Sequence, residues 1–145
     1  MSHWASTVVV IAVRTPDRVH ATTATSFMPV AAEPPTVAWA LGPGAQVLPF
    51  LAVGSSCAVS LLAEGQRRVA ADFADPFPVG PSPFPREGPP VVAGAVAHLH
   101  CTVTDVDPVP GNGRLLRARV DAVTTTGGAP LLYLRRAYRT VHPAP

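Results

Sequence analysis

The sequence contains no lysine, and this absence excludes several kinds of chemistry at once. All 11 basic residues among the 145 are arginines, and the net charge is only +2. No side chain can therefore form a Schiff base or act as the lysine of a phosphate-binding P-loop. A small net charge with arginines scattered among acids also argues against a nucleic-acid partner.

Long apolar segments are lacking too. The longest apolar run, from Val8 to Val13, is much shorter than the roughly 20 residues that a membrane-spanning helix needs. The start Met1-Ser-His-Trp4 lacks the basic opening of a signal peptide. We therefore expect a soluble, cytoplasmic protein that makes no membrane contact.

Cysteine is scarce. Cys57 and Cys101 each lie within an apolar run, and neither has a second cysteine at the spacing of a metal or redox motif. Free cysteine is among the residue types that are most often buried. We predict that both cysteines are small core residues.

The chain is rich in short extended segments separated by proline and glycine. Alternation of apolar and polar residues over Gly94 to Val106 and over Arg114 to Thr124 predicts two half-buried strands, joined by a turn at Pro108 to Gly113. Further strands are expected at Ser6 to Arg14 and Val19 to Thr25, which form a hairpin, and at Thr36 to Leu41, Cys57 to Leu62 and Leu131 to Tyr138. We predict a single all-β, mainly antiparallel barrel domain over residues 1–145.

One or two short helices complete the expected fold. The segment Glu64 to Ala74 places Val69 and Phe73 on one face, the pattern of an amphipathic helix lying on a barrel. Ala45 to Val53 is expected to form a second helix, although Pro49 favours only its later half.

The first strand raises the question of oligomeric state. Ser6 to Arg14 is apolar on both faces, so both faces need cover. In a chain this small, a second subunit is one source of that cover, and we therefore predict a homodimer. Trp39 lies in a dense apolar strand and is expected in the core, whereas Trp4 packs on the partner subunit or frames a ligand.

Seven prolines between Pro76 and Pro90 exclude a sheet ladder there, because each proline removes a hydrogen-bond donor. Phe77 and Phe84 can anchor this stiff segment. We favour a surface connector, and a cover over a pocket mouth is the alternative.

Two histidines share one face of a predicted strand. His98 and His100 stand at i and i+2, as two ligands of a metal would, but zinc needs at least one more ligand, and no other histidine has a spacing that predictably supplies it. We favour a polar strip beside Arg117 and Arg119, facing solvent or a second subunit, and predict no metal.

The most informative segment runs from His20 to Thr36. Small hydroxyl residues lead to Phe27, and the corner Glu33-Pro34-Pro35 then leads into the next strand. The hydroxyl residues are Thr22, Thr23, Thr25 and Ser26. Small side chains let a ligand approach the backbone, and their hydroxyls can bond an anionic or heteroaromatic group. We predict a binding edge here.

This segment resembles the flavin reductase-like, FMN-binding split-barrel family. That family typically has Thr-Ala-Asn-Ser-Phe and then Val-Ser-Leu-Asp-Pro-Pro, where this chain has Thr23-Ala24-Thr25-Ser26-Phe27 and Val30-Ala31-Ala32-Glu33-Pro34-Pro35. The resemblance continues in the family's order through later segments, which begin at Cys57, Val69, Val92 and Pro130. It implies a split β-barrel that binds FMN, or else FAD, and uses NAD(P)H as co-substrate.

The resemblance also implies site residues. Thr23, Ala24, Thr25, Ser26 and Phe27 would lie at the edge of the isoalloxazine ring. Ser60 stands where the family often has asparagine. The phosphate would lie at the loop Gly42 to Val47, which offers Gly44, Gln46 and the N-terminus of the predicted helix but no charge.

Three functions follow as alternatives. The first is an NAD(P)H:flavin oxidoreductase that supplies reduced flavin to a monooxygenase. The second is a barrel recruited in secondary metabolism as a non-redox enzyme or as an accessory binder of an aromatic or polycyclic metabolite, using groups such as His20, Asp72 or Arg135. It is motivated by Gly111-Asn112-Gly113 and Tyr133-Leu-Arg-Arg-Ala-Tyr138, where the family commonly has Gly-Asp-His and Tyr-His-Arg-Gly-x-Tyr. The third is a dimerisation module with a vestigial pocket.

Overall fold

The computed structural model describes residues 3–145 and contains two antiparallel sheets. The larger sheet has seven strands in the order β3-β2-β6-β7-β8-β5-β4, and the smaller has the order β1-β9-β10. The strands of the larger sheet are β2 Val9–Arg14, β3 Val19–Ala24, β4 Met28–Ala32, β5 Pro35–Leu41, β6 Ser56–Leu61, β7 Ala97–Val109 and β8 Gly113–Thr125. Those of the smaller are β1 Ser6–Thr7, β9 Leu132–Leu134 and β10 Ala137–Arg139. The predicted all-β, mainly antiparallel fold is confirmed.

The larger sheet curls around one apolar core. Its inward-facing residues from β2, β5, β6, β7 and β8 form a single buried cluster around Trp39, which has no exposed surface. Cys57 and Cys101 face each other across β6 and β7 within this cluster. The predictions that Trp39 and both cysteines are core residues are confirmed.

A second core covers the opposite face of β2. Val8 and Val10 pack there with Leu62, Ala70 and Leu131, all of them almost fully buried. Both faces of this segment are therefore covered by its own chain. A second subunit, which we considered as one source of this cover, is therefore not needed for it, and the homodimer stays a prediction.

The helices are shorter than expected. Helix α1 spans Arg67–Ala74, within the predicted segment, and Ala70 is its buried residue. The helix predicted over Ala45 to Val53 is only a 3-10 turn at Leu48–Phe50, where Pro49 stands in its first turn. Among residues 3–145, no helix has the length and apolar character needed to cross a membrane.

The strands differ from the prediction at three places. The strands β7 and β8 extend further toward each other, so their turn occupies only residues 110–112. The last predicted strand is a hairpin instead, because Arg135 and Arg136 form a turn between β9 and β10. Strand β4 was not predicted, since all five of its residues are exposed and no buried face produces an alternating pattern.

The proline-rich segment is fixed to the body of the protein by one arginine. The Arg14 guanidinium donates hydrogen bonds to the carbonyl oxygens of Pro85 at 2.5 Å, Arg86 at 3.2 Å and Gly88 at 2.7 Å. Phe84 also packs on Phe73 of α1, with 5.3 Å between ring centres. This segment connects α1 to β7 along the surface, as favoured from the sequence, and its Arg14 contacts hold it in place.

Candidate functional site

A groove of about 430 Å³ lies where the end of β3 passes between the loop after β5 and the C-terminal end of α1. This volume is within the range of pockets for small molecules and cofactors. The groove is lined by residues 21–26 from β3 and its end, 40–42 and 44–46 from the end of β5 and the loop after it, and 73–76 from the helix end. The hydroxyl-rich segment singled out from the sequence thus forms one complete wall.

Ser26 builds this wall rather than offering its hydroxyl to a ligand. Its Oγ donates to the carbonyl oxygen of Ala40 at 2.8 Å and accepts from the Ala40 N–H at 2.9 Å. Ala40 lies beyond the last residue of β5 that pairs with β4. At Ala40, where β5 has no partner from β4, the Ser26 side chain makes the two hydrogen bonds that a neighbouring strand would make. It thereby holds the end of β3 against β5.

The Thr23 hydroxyl likewise bonds to the protein, on the side of the groove formed by α1. Its Oγ1 donates to the carbonyl oxygen of Ala70 at 2.7 Å, which ties β3 to helix α1. This bond fixes the position of the helix end, where Phe73 and Asp75 border the groove. Two of the predicted hydroxyls therefore set the width of the groove.

The remaining polar groups can meet a ligand. Within residues 3–145, the Thr25 hydroxyl and the Gln46 side chain make no hydrogen bond to the protein, and both border the groove. At Gly44, a Cβ would find no atom within 4 Å, so open space adjoins the backbone there. A flat heteroaromatic ring needs such a slot with a few polar groups at its edge.

The loop after β5 lacks the helix terminus that was expected to hold a phosphate. The 3-10 turn at Leu48–Phe50 is too short to present an ordered set of N–H groups. The Ala45 N–H is also occupied, because it donates to the carbonyl oxygen of Gly42 at 3.2 Å. Asp75 is the charged residue that lines the groove, so no cation from the described part of the chain lies in it.

Two predicted site residues lie elsewhere. Phe27 packs against the inner core and does not border the groove. Ser60 is completely buried, and its Oγ accepts a hydrogen bond from the Val92 N–H at 3.0 Å. The structure brings together the other six, which are Thr23, Ala24, Thr25, Ser26, Gly44 and Gln46.

The contribution of the helix end to the groove was not predicted. Phe73, Ala74, Asp75 and Pro76 form one side of the groove. The amphipathic pattern predicted that Phe73 faces the protein, but not that α1 ends beside β3. Its contact with β3 depends on the tertiary fold, for which the local pattern holds no signal.

The three residues considered for a non-redox enzyme do not lie together in one site. His20 stacks on Phe50, with 3.9 Å between ring centres, and contacts the Thr15 hydroxyl. Burial lowers the pKa of His20, and the nearby Arg18 adds to this shift. Asp72 lies beside Gly80, and Arg135 lies in the β9–β10 turn. The three groups thus belong to separate parts of the surface.

The histidine pair on β7 also lies elsewhere than predicted. His98 stands opposite Thr124 and His100 opposite Ala122, so neither pairs with Arg117 or Arg119. A ring nitrogen of His98 lies 2.8 Å from the Val92 carbonyl oxygen. In the described range 3–145, no three histidine, cysteine, aspartate or glutamate side chains are grouped as metal ligands.

The Cys57 thiol, which contacts Cys101, is chemically unreactive. Contact with the Cys101 thiol and burial raise the pKa of the Cys57 thiol well above its usual range. Since the thiolate is the reactive form, Cys57 is not a nucleophile at neutral pH.

Comparison with known proteins agrees with this geometry. The protein-family model described as "Flavin reductase like domain" matches residues 1–142. The reductase component of 4-hydroxyphenylacetate 3-monooxygenase from Thermus thermophilus is 36% identical over 144 residues, which cover 96% of this chain and 91% of that protein. An NADH-dependent flavin reductase from a Rhodococcus species is 30% identical over 86% of this chain and 72% of its own length. The structure of the styrene monooxygenase flavin reductase from Pseudomonas putida S12 superposes with a TM-score of 0.87 at 32% identity, covering 99% of this chain and 95% of that one.

Proposed function

The chain belongs to the flavin reductase-like family, and we propose that it is the NADH-dependent flavin reductase component of a two-component monooxygenase. The observation that carries this proposal is the coincidence of the family's hydroxyl-rich segment with one wall of the groove. In this function the protein passes reduced flavin to a separate oxygenase.

The residues of the groove fit a flavin ring. Ala21, Ala24 and Phe73 give apolar walls, while Thr25 and Gln46 offer polar groups that the protein itself leaves unbonded. We propose that these polar groups bind the pyrimidine edge of the ring and that the open space at Gly44 admits the ribityl phosphate. When bound, the flavin accepts a hydride from the nicotinamide and carries the electrons onward.

The chain's part in this chemistry is to position the two partners. Hydride transfer requires the two rings to stack closely, and it needs no protein acid or base. The bonds of Ser26 to Ala40 and of Thr23 to Ala70 hold both walls of the groove before any ligand arrives. A rigid slot reduces the entropy that binding costs and favours a productive stack.

Several finer points belong to the same proposal. We propose FMN as the flavin, with FAD as the alternative, and NADH as the reductant. We also propose a homodimer, a cytoplasmic location and a single domain over residues 1–145. The support for a dimer is strand β4, a sheet edge whose five residues are all exposed and include Met28 and Val30. An exposed edge with apolar side chains is a surface that proteins usually cover.

The experiment is a titration of FMN against the wild-type protein and Thr25→Val, followed by flavin fluorescence. Valine keeps the shape of threonine but removes its hydroxyl, so we expect FMN to bind about three- to ten-fold more weakly. Thr124→Val is the matched control, because Thr124 is exposed on β8 and lies outside the groove. Equal affinities for all three proteins would contradict the role of Thr25, and no FMN binding by the wild-type protein would contradict the proposed site.

A further inference from the structure

A separate cavity lies across the loop after β5 from the groove, and we call it the Arg114 cavity. Its volume is about 360 Å³. The loop contributes Pro43, Leu48, Pro49 and Leu51 to its lining, and the β7–β8 hairpin contributes Val106, Asn112 and Arg114. Pro43 borders this cavity, whereas its neighbours Gly42 and Gly44 border the groove. Since the two spaces share no lining residue, the loop is a wall between them.

Most of the lining of the Arg114 cavity is apolar. Leu51 is almost completely buried, and Leu48 and Val106 are half-buried and pack against the main core. The rings of Pro43 and Pro49 add further apolar surface and offer no N–H group to a ligand. A hydrocarbon group is therefore removed from water when it lies against these side chains.

Arg114 is the charged residue of this lining, and it has no carboxylate partner within residues 3–145. Its Nη1 donates to the carbonyl oxygens of Asn112 at 3.4 Å and of Gly113 at 2.8 Å. Its Nε and Nη2 donate no hydrogen bond to the described part of the chain. Because a guanidinium carries N–H donors on all three nitrogens, several donors stay available to a ligand.

The other arginines of β8 show how uncommon this arrangement is. Arg117 and Arg119 are both exposed to solvent. Arg117 nevertheless forms a salt bridge with Asp105 at 3.0 Å, and Arg119 forms one with a further aspartate at 2.7 Å. Arg114 is half-buried and unpaired among the described residues. Water solvates an exposed guanidinium well, so the half-buried one gains most from an anionic ligand.

We propose that the Arg114 cavity binds a small monocarboxylate, with the carboxylate on Arg114 and the hydrocarbon body against Leu48, Leu51 and Val106. A carboxylate matches the planar fork of a guanidinium and carries a single charge. A second anionic group would meet apolar walls, because no other cation lines the cavity. The site does not depend on the proposed function, since its ligand does not enter the groove.

The test is calorimetric titration of hydrocinnamate, a benzene ring on a short chain that ends in a carboxylate. We expect saturable binding to the wild-type protein and at least about ten-fold weaker binding to Arg114→Gln, because a charge-assisted pair is lost. Arg68→Gln is the matched control, since Arg68 is exposed on α1 and lines neither the groove nor the Arg114 cavity. This control is expected to bind hydrocinnamate like the wild-type protein.

The neutral amide of the same acid separates charge from shape. We expect hydrocinnamamide to bind the wild-type protein about ten-fold more weakly than hydrocinnamate, since it has nearly the same size but no charge. Arg114 also bonds to its own turn, so this comparison tests the proposal even where Arg114→Gln lowers the stability of the fold.

A second variant leaves the guanidinium in place and fills the space. Val106→Phe enlarges a side chain that lines the cavity, so we expect hydrocinnamate to bind several-fold more weakly. Thermal unfolding without ligand checks that the variant still folds. In the wild-type protein, added hydrocinnamate should shift the methyl NMR signals of Leu48, Leu51 and Val106.

Four results would overturn the proposal. They are the absence of saturable binding to the wild-type protein, equal affinity for the acid and its amide, equal affinity in Arg114→Gln and the wild-type protein, and shifts confined to the groove residues Ala21 and Ala24. If hydrocinnamate binds as expected but FMN is neither bound nor reduced, the proposed function fails and the carboxylate site stands.

Discussion

At the scale of single residues, hydroxyls that looked like ligand groups divide into two classes. Ser26 and Thr23 bond to the backbone of neighbouring elements and fix the groove, whereas Thr25 keeps its hydroxyl available. The sequence could not separate them, because serine and threonine serve both purposes and their partners are distant along the chain. Only the fold decides which hydroxyl a ligand can use.

Gly113 is a residue where space, not conformation, requires glycine. A Cβ at this position would lie 2.7 Å from the Leu41 carbonyl oxygen, which is backbone and cannot turn aside. We expect Gly113→Ala to lower the free energy of unfolding by about 1–3 kcal/mol, measured by chemical denaturation. The same substitution at Gly65, where nothing lies within 4 Å, should change it by less than about 0.5 kcal/mol. Equal effects of the two substitutions would contradict the steric argument.

The burial of a single side chain was predictable where the residue lies in an apolar run. Trp39 and the two cysteines lie in apolar runs, and all three are buried. Ser60 was harder, because β6 is covered on both faces and its alternation does not reveal which face meets a ligand. Its hydroxyl bonds the Val92 N–H in the second core, away from the groove.

At the scale of elements, the groove depends on how loops and strand ends meet. The positions of most strands along the chain were predictable because alternation and glycine-rich turns are local signals. Strand β4 and the 3-10 turn at Leu48–Phe50 were not, since one has no buried face and the other is limited by Pro49. A local sequence pattern predicts a helix or strand when one of its faces is buried. It fails when contacts with other parts of the chain decide whether the element forms.

The proline-rich segment gives a prediction at this scale. Arg14 binds the carbonyl groups of Pro85, Arg86 and Gly88, so Arg14→Gln should loosen the segment and speed tryptic cleavage after Arg86 several-fold. Arg18→Gln is the matched control, since Arg18 borders the same surface and its side chain donates no hydrogen bond to this segment. Mass spectrometry of the fragments measures the rate. Cleavage at the wild-type rate in Arg14→Gln would show that the three bonds do not restrain the segment.

At the scale of the whole molecule, the family is clear from sequence and structure alike, and the assembly remains a prediction. The original reason for a dimer no longer holds, because the chain covers both faces of β2 itself. The proposal now depends on the exposed edge strand β4.

This assembly can be tested by light scattering. We expect a particle of twice the 15.0 kDa chain mass, which Val30→Asp on β4 should shift toward the monomer, since a buried charge without a partner is costly. Val53→Asp places the same charge on an exposed loop residue and should leave the mass unchanged. A wild-type protein with the mass of one chain would contradict the dimer.

The central claim is that the groove beside β3 holds a flavin while the protein reduces it. The most direct measurement is the loss of NADH absorbance with purified wild-type protein, with and without added FMN or FAD. We predict rapid NADH oxidation that depends on added flavin and that slows at low flavin concentration in Thr25→Val. A protein that binds flavin but leaves NADH unoxidised, or that oxidises it no faster than free flavin does, would contradict the account.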